Sequence, residues 1–222
     1  MSIITSRPEA DHDLMKKLAQ CAVATVHEAL GQIGALDHTI QAIAPGMRLC
    51  GRALTVRCHP GDNLMLIKAI SMAGPDDVLV VDPGDRGEAG PFGEVLAVDC
   101  LAHGVAGLVT AGSVRDSEAI ARRGFPVFAS GTNVRGTGKA NLGEINHPVC
   151  VGGVIVNPGD YVLADADGVV VVPHGRIAEA IEKSDAREAK ERTVMKRLEA
   201  GEHLFDIYGY QATLDRLGCT EE

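Results

Sequence analysis

The sequence predicts an α/β fold built on a largely parallel sheet. Two observations carry this. From residue 51 onward β-rich segments alternate with helical ones, the pattern of βαβ units, and the 222-residue length suits one sizeable domain, since α/β domains reach about 250 residues. A second β-rich stretch and a long polar helical segment then complete the chain.

An N-terminal helical lead covers about residues 1–35, where 13–21 place apolar side chains at helical spacing. Thr25 and Glu28 stand three apart, the reciprocal arrangement that satisfies orphaned donors at a helix start, so a second short helix is expected from Thr25. The alternating region comprises 53–58, 63–73, 78–82, 92–103, 106–111 and 117–123. Residues 149–156, 161–164 and 169–172 are separated by Asn-Pro-Gly-Asp (157–160) and Asp-Ala-Asp-Gly (165–168), which predicts antiparallel, hairpin-forming strands. Residues 175–199 are rich in Glu, Lys, Arg and Ala, with Ile177, Ile181, Val194 and Leu198 at intervals. They predict a long, largely exposed helix of the kind that meets a neighbouring subunit, within a C-terminal extension of 175–222. No repeat or interior linker divides the chain.

Composition narrows the function. Hydrophobic residues at 45% and charged residues at 23% match a fully folded globular chain. Aromatics are only 3% with no Trp, which leaves little for stacking bases. A formal charge of −9 argues against nucleic-acid binding, whose affinity rests on Lys and Arg displacing counterions, so an anionic substrate needs a local basic pocket. Six cysteines lie scattered without CxxC pairs, mostly in apolar stretches, as expected for a reducing cytoplasm. The opening MSIITSRPEADHD has neither a basic n-region nor an apolar run, and no window approaches the ~20 apolar residues of a membrane span, so neither export nor insertion is expected.

The most informative context for chemistry is 106–116, a buried strand, a glycine turn and then adjacent Arg115 and Asp116. Ligands of α/β sheets favour the crevice beyond the strands' carboxyl ends. There an Arg fork can hold a carboxylate and an Asp oxygen suits a hard divalent cation. The plain alternative is that Asp116 caps the helix that follows, with Arg115 solvated. Residues 90–97, Gly-Pro-Phe-Gly-Glu-Val-Leu-Ala, form a turn running into a helix, whose free backbone donors can receive a carboxylate that Gly93 lets approach closely. Glu94 there is a candidate to hold a catalytic water, or simply a first-turn acid facing the helix dipole. The glycine-rich loop 131–143 carries Arg135 and Lys139 but lacks the GxxxxGK[ST] spacing of a nucleotide cradle, and reads as a cationic loop closing over a polyanionic acid. The eight His include no HExxH pair, no GxSxG elbow occurs, and His27 and His147 read as core or rim residues.

Together, 24–31, Pro60-Gly61-Asp62-Asn63, 92–97, Val114-Arg115-Asp116, 136–143 and 165–168 resemble the 4-hydroxy-4-methyl-2-oxoglutarate / 4-carboxy-4-hydroxy-2-oxoadipate aldolase family. That family lies within the wider group related to the regulator of ribonuclease E activity A (RraA-like), and the resemblance runs from about Ala24 to Gly218. Its signature is an acidic residue, twenty intervening residues, then Arg-Asp; here Glu94 stands where the family usually has Asp, followed by Arg115-Asp116. The resemblance implies a three-layer β/β/α swivelling-type domain assembled as a homotrimer or homohexamer. It further implies Asp116 as the protein ligand to Mg²⁺ or Mn²⁺ and Arg115 on the pyruvoyl group. Backbone amides at Val95 and Leu96 would receive the carboxylate, and Glu94 would orient the water that takes the C4-hydroxyl proton. Lys139 and Arg135 are expected to meet distal carboxylates, and Glu191 a neighbour's site. The expected reaction releases pyruvate, with oxaloacetate decarboxylation as a side activity, in the catabolism of gallate- or protocatechuate-type aromatics. The main rival is a non-enzymatic, protein-binding regulator of the ribonuclease-inhibitor branch, and a plain oxo-acid decarboxylase or lyase is the third reading.

Overall fold

The computed structural model describes residues 1–84 and 89–220, so the last two residues of the expected C-terminal extension lie outside the described residues. Its centre is a run of parallel strands, β2 (Leu49–Arg57), β3 (Asp77–Asp82), β4 (Gly107–Val114) and β5 (Val127–Thr132), in the spatial order β5-β4-β3-β2. β1 (Gln41–Ala42) adds antiparallel to β5, β6 (Glu144–Ile145) pairs with the end of β2, and β9 (Tyr161–Asp165) and β10 (Gly168–Val172) extend the other edge as an antiparallel hairpin. An isolated bridge joins Ala35 to Val170, and β1 approaches β10, so the sheet is nearly closed.

Strand alternation divides the core. Leu54, Val56, Leu79, Val81 and Leu108 face the helices α3 (Leu64–Ile70), α4 (Glu94–Ala102) and α5 (Ser117–Arg123), packing on Leu66, Ile70, Cys100 and Ile120. Their neighbours Ala53, Val78, Val80, Val109 and Phe128 point the other way, onto a separate hairpin of β7 (Val149–Val151) and β8 (Val154–Val156). Hairpin, sheet and helices make the expected β/β/α layers. β3 is apolar on both faces because both are covered, which is why Val-Leu-Val-Val runs without polar alternation. Each such Val or Leu contributes about 1.5–3 kcal/mol by leaving water.

A further cluster joins α1 (His12–Leu18), α2 (Val23–Ala29) and the long α6 (Ile177–Glu199) to Tyr161, Leu163, Val170 and Val172 of the β9–β10 hairpin. Only one stripe of α6 is buried, including Ile177, Ile181 and Val194, and the rest is the charged surface anticipated from its composition. Two short helices follow, α7 (Leu204–Ile207) and α8 (Gln211–Leu217), with no buried residue in either. No helix among the described residues is long and apolar enough to cross a membrane.

Three local expectations are corrected. α2 begins at Val23 rather than Thr25, and no side chain of its own caps it. Instead Oδ2 of Asp165, the last residue of β9, accepts the Val23 N–H at 3.1 Å. That partner lies 142 residues away, so local pattern could not reveal it. Residues 149–156 are two strands, folded back at Gly152 and Gly153, whose φ values of 54° and 79° lie in the left-handed region that favours glycine. β2 starts at Leu49, four residues before the expected 53, because pairing with β9 (Leu49↔Ala164, Gly51↔Val162) extends it.

The distant cap yields a stability prediction. Asp165→Ala should cost about 1–2 kcal/mol, the usual worth of a lost N-cap, measured by urea unfolding. A change below about 0.3 kcal/mol would show that water replaces the bond at no loss.

Candidate active site

β4 ends at Val114, and Arg115 and Asp116 follow at the carboxyl edge of the parallel strands. Asp116 adopts φ 56° and ψ 33°, a left-handed conformation that Asp tolerates better than most side chains. The chain thereby turns sharply into α5. At this position an Asp carboxylate ordinarily accepts the first N–H groups of its own helix, yet Asp116 makes no such bond. Its Oδ2 instead accepts the N–H of Glu94, the first residue of α4, at 3.1 Å. Among the described residues no hydrogen bond engages Oδ1. Capping of its own helix is therefore excluded as the reason for this side chain's placement.

Arg115 is anchored through its own N–H to the carbonyl of Phe92 at 2.9 Å. Its Nε lies 3.7 Å from Asp116 Oδ2, and the two side chains are 46% and 45% exposed, so both remain available to a ligand. Gly93 makes the approach possible: a Cβ there would sit 2.5 Å from Asp116 Oδ2 and 3.0 Å from Arg115 Cγ. Gly90 has the same role one turn earlier, where a Cβ would lie 2.4 Å from the carbonyl oxygen of Asn133.

At the start of α4, Asp116 takes the Glu94 N–H and the Ala97 N–H bonds to Gly93. The N–H groups of Val95 and Leu96 are first-turn donors with no helical acceptor. Val95 is 80% exposed, while Leu96 packs partly against the core. The Glu94 side chain is engaged: its Oε1 lies 2.8 Å from Nε of Arg123, the last residue of α5. Arg123 escaped the sequence reading because a basic residue in a last helical turn looks like an ordinary dipole partner. With both side chains about 40–45% exposed, the pair orients more than it stabilises.

A cleft of about 370 Å³ lies beside these groups, lined by Arg115, Asp116, Ser117, Thr132, Asn133 and Val134. Thr132 ends β5, and the Asn133 N–H bonds to the carbonyl of Val114 at 2.9 Å. Neither was singled out from sequence, because 127–132 carries no clear strand signal and becomes a strand by pairing with β4. Lys139 and Arg135 are exposed on the segment that continues from Asn133, outside the cleft lining. Glu191 lies on α6, paired with Arg187 at 2.8 Å, and that helix packs on α1 and α2. The structure thus brings Gly93, Glu94, Val95, Leu96, Arg115 and Asp116 together, and neither Lys139 nor Glu191 lines the cleft beside them.

Among the described residues no three His, Cys, Asp or Glu side chains cluster as a metal cage. One carboxylate with a free oxygen, on a cleft with room for water, fits Mg²⁺ or Mn²⁺, hard cations that keep several waters. Burial pushes the Cys58 and Cys100 thiols up to about 12 and keeps them protonated, so neither offers a nucleophile.

The sequence model of the RraA-like family, described as Aldolase/RraA, matches residues 23–171. A Halalkalibacterium halodurans protein named "Putative 4-hydroxy-4-methyl-2-oxoglutarate aldolase" is 35% identical, over 84% of this chain and 90% of its own length. Among solved structures, an uncharacterized protein from Pseudomonas syringae pv. tomato superposes with a TM-score of 0.79 at 25% identity, covering 90% of this chain and 98% of that one. Streptomyces coelicolor RraAS2, described as an unusual member of the RNase ES inhibitor RraA protein family, gives 0.76 at 28% identity, covering 86% and 98%.

The close approach at Gly93 is directly testable. Gly93→Ala must displace the Asp116 carboxylate, and Mn²⁺ affinity measured by electron paramagnetic resonance should fall about 10–100-fold, the scale of a disturbed ligand support. Gly136→Ala, whose Cβ would meet nothing nearer than 3.8 Å, should bind as the wild type does. Equal affinity in both variants would detach the cation from Asp116.

Proposed function

The chain belongs to the RraA-like family, Aldolase/RraA, and from that premise we propose that it is a divalent-metal-dependent aldolase releasing pyruvate from a 4-hydroxy-2-oxo acid. The substrates are 4-carboxy-4-hydroxy-2-oxoadipate, giving pyruvate and oxaloacetate, and 4-hydroxy-4-methyl-2-oxoglutarate, giving two pyruvates. The observation that supports this reading best is the orientation of Asp116, turned from its own helix toward the start of α4 and set beside Arg115. A cap on its own helix would not adopt it.

Asp116 is the residue to hold Mg²⁺ or Mn²⁺, which when bound supplies Lewis-acid polarisation of the 2-oxo group. Arg115 receives the pyruvoyl end, and the free N–H groups of Val95 and Leu96 bind its carboxylate at the positive end of α4. Glu94, steadied by Arg123, orients the water that accepts the proton of the C4 hydroxyl. The C3–C4 bond then breaks: C4 becomes a carbonyl and the electron pair moves to C3 and on to the 2-oxo oxygen. Arg115 stands where that enolate charge develops; a donor aimed at such charge is worth about 3–4 kcal/mol of barrier. Protonation at C3 completes pyruvate. Oxaloacetate losing CO₂ forms the same enolate, so decarboxylation accompanies the aldol cleavage. In this reading the assembly is a trimer or hexamer that brings Glu191 to a neighbour's site.

A protein-binding regulator is the second reading, favoured by the likeness to RraAS2. It has no use for the Arg115–Asp116–Gly93 arrangement.

Pyruvate release from 4-carboxy-4-hydroxy-2-oxoadipate, measured with Mg²⁺ and with chelator, separates the two. The expected result is metal-dependent turnover that falls at least about 100-fold in Asp116→Ala. A correctly assembled wild type inactive with every divalent cation would remove the aldolase reading and promote the regulator. Glu191→Ala tests the partner contribution: unchanged kinetics would exclude it.

A further inference from the structure

The segment between β5 and β6 forms one wall beside Arg115, yet it buries no side chain among the described residues. No residue from 133 to 142 is buried. Among the described residues, three sets of polar contacts hold it instead. Its start is tied by Asn133 to Val114, and its middle by the Gly90 N–H to the carbonyl of Arg135 at 2.9 Å. Its far end converges on Asp62, whose side chain is almost wholly buried.

Asp62 divides its oxygens between two tasks. Oδ1 accepts the Leu64 N–H at 2.8 Å, at the start of α3. Oδ2 faces the segment and accepts three donors: the Ala140 N–H at 2.7 Å, the Asn141 N–H at 3.1 Å and Asn141 Nδ2 at 3.2 Å. Backbone bonds flank it, from Gly138 N–H to Gly61 and from Asn63 N–H to Gly138. Burial raises the Asp62 carboxyl, but the N–H groups of Ala140, Leu64 and Asn141 outweigh it and hold the group below the ordinary carboxylate value. It is therefore a charged acceptor, the stronger kind of hydrogen-bond partner. Capping α3 needs one oxygen; the other serves only the segment that carries Lys139.

We propose that Asp62 is a positioning residue for the proposed aldolase, a latch that holds 138–141 so that Lys139 meets the distal carboxylate of the substrate. The inference rests on the aldolase reading for its substrate and on the hydrogen-bond geometry for the latch. Without the latch the segment samples other conformations, and affinity drops by the fraction of chains still competent to bind.

The test uses the whole chain with Asp62→Asn, which keeps the shape but leaves one neutral oxygen for the four donors that two carboxylate oxygens accept. Two readouts are taken together: hydrogen exchange at the Ala140 and Asn141 amides, and kinetics with a long and a short substrate. Exchange should quicken at least about tenfold, and KM for 4-carboxy-4-hydroxy-2-oxoadipate should rise about tenfold with a smaller change in kcat. Oxaloacetate decarboxylation, whose second carboxylate stands at C4 and leaves as CO₂ with none beyond it, should change less than about threefold in KM. Lys139→Ala should raise the same KM, and adding Asp62→Asn to it should add little. If Asp62→Asn fails to fold, Asn141→Ala removes one latch bond and should move the same KM by about two- to threefold.

Unchanged exchange in Asp62→Asn overturns the latch. Faster exchange with equal loss on both substrates overturns the specific positioning and leaves a structural residue. Failure of the aldolase reading looks different: the wild type releases no pyruvate while its Ala140 and Asn141 amides stay protected.

Discussion

The candidate site hangs on one close approach, the Asp116 carboxylate against the backbone at Gly93 and Glu94. Two segments that leave neighbouring parts of the sheet must come within hydrogen-bond distance at their tips. A single methyl group at Gly93 would occupy the space. The left-handed turn at Asp116 and the glycine opposite it answer the same requirement from two sides. What results is a carboxylate that has satisfied one oxygen and presents the other, beside a guanidinium fixed through its own backbone to Phe92.

The sheet makes this approach reproducible. β3 and β4 are buried on both faces by helices and by the β7–β8 hairpin, so the strand ends that carry the site rest on close-packed Val and Leu. The loops beyond them are polar and glycine-rich, and hydrogen bonds rather than burial give them shape. Asp62 and Asn133 are the clearest cases, each tying exposed chain to the rigid edge. A fold of this kind separates stability from specificity: the core tolerates little change, while the rim can vary to suit different acids.

Electrostatics follow the same division. A chain of net charge −9 repels anions at long range. Near the cleft the balance is local. Arg123 engages Glu94, Arg115 lies half exposed beside Asp116, and the free amides of α4 add the positive end of a helix. In the proposed reading a small oxo acid bound together with a cation gives each of these charges its opposite. The Glu at position 94, one methylene longer than Asp, is what reaches Arg123 at 2.8 Å.

Much was legible in the sequence. The βαβ alternation, the long polar helix and the turn residues follow from period and from the backbone freedom of Gly and Asn-Pro-Gly-Asp, all properties of neighbouring residues. The pairing of Glu94 with Arg115-Asp116 was legible too, though only through resemblance to a family. The remainder was set by contacts distant in sequence. The Asp165 cap on α2, the β5 strand with its cleft residues Thr132 and Asn133, the partner Arg123 and the four-donor grip of Asp62 each join residues that no window contains. By itself the sequence determined which segments could be strands and helices and which side chains could do chemistry, because propensity and patterning are local. Only the tertiary structure decided that Asp116 turns away from its own helix, because that choice depends on where the N–H of Glu94 lies once the sheet has assembled.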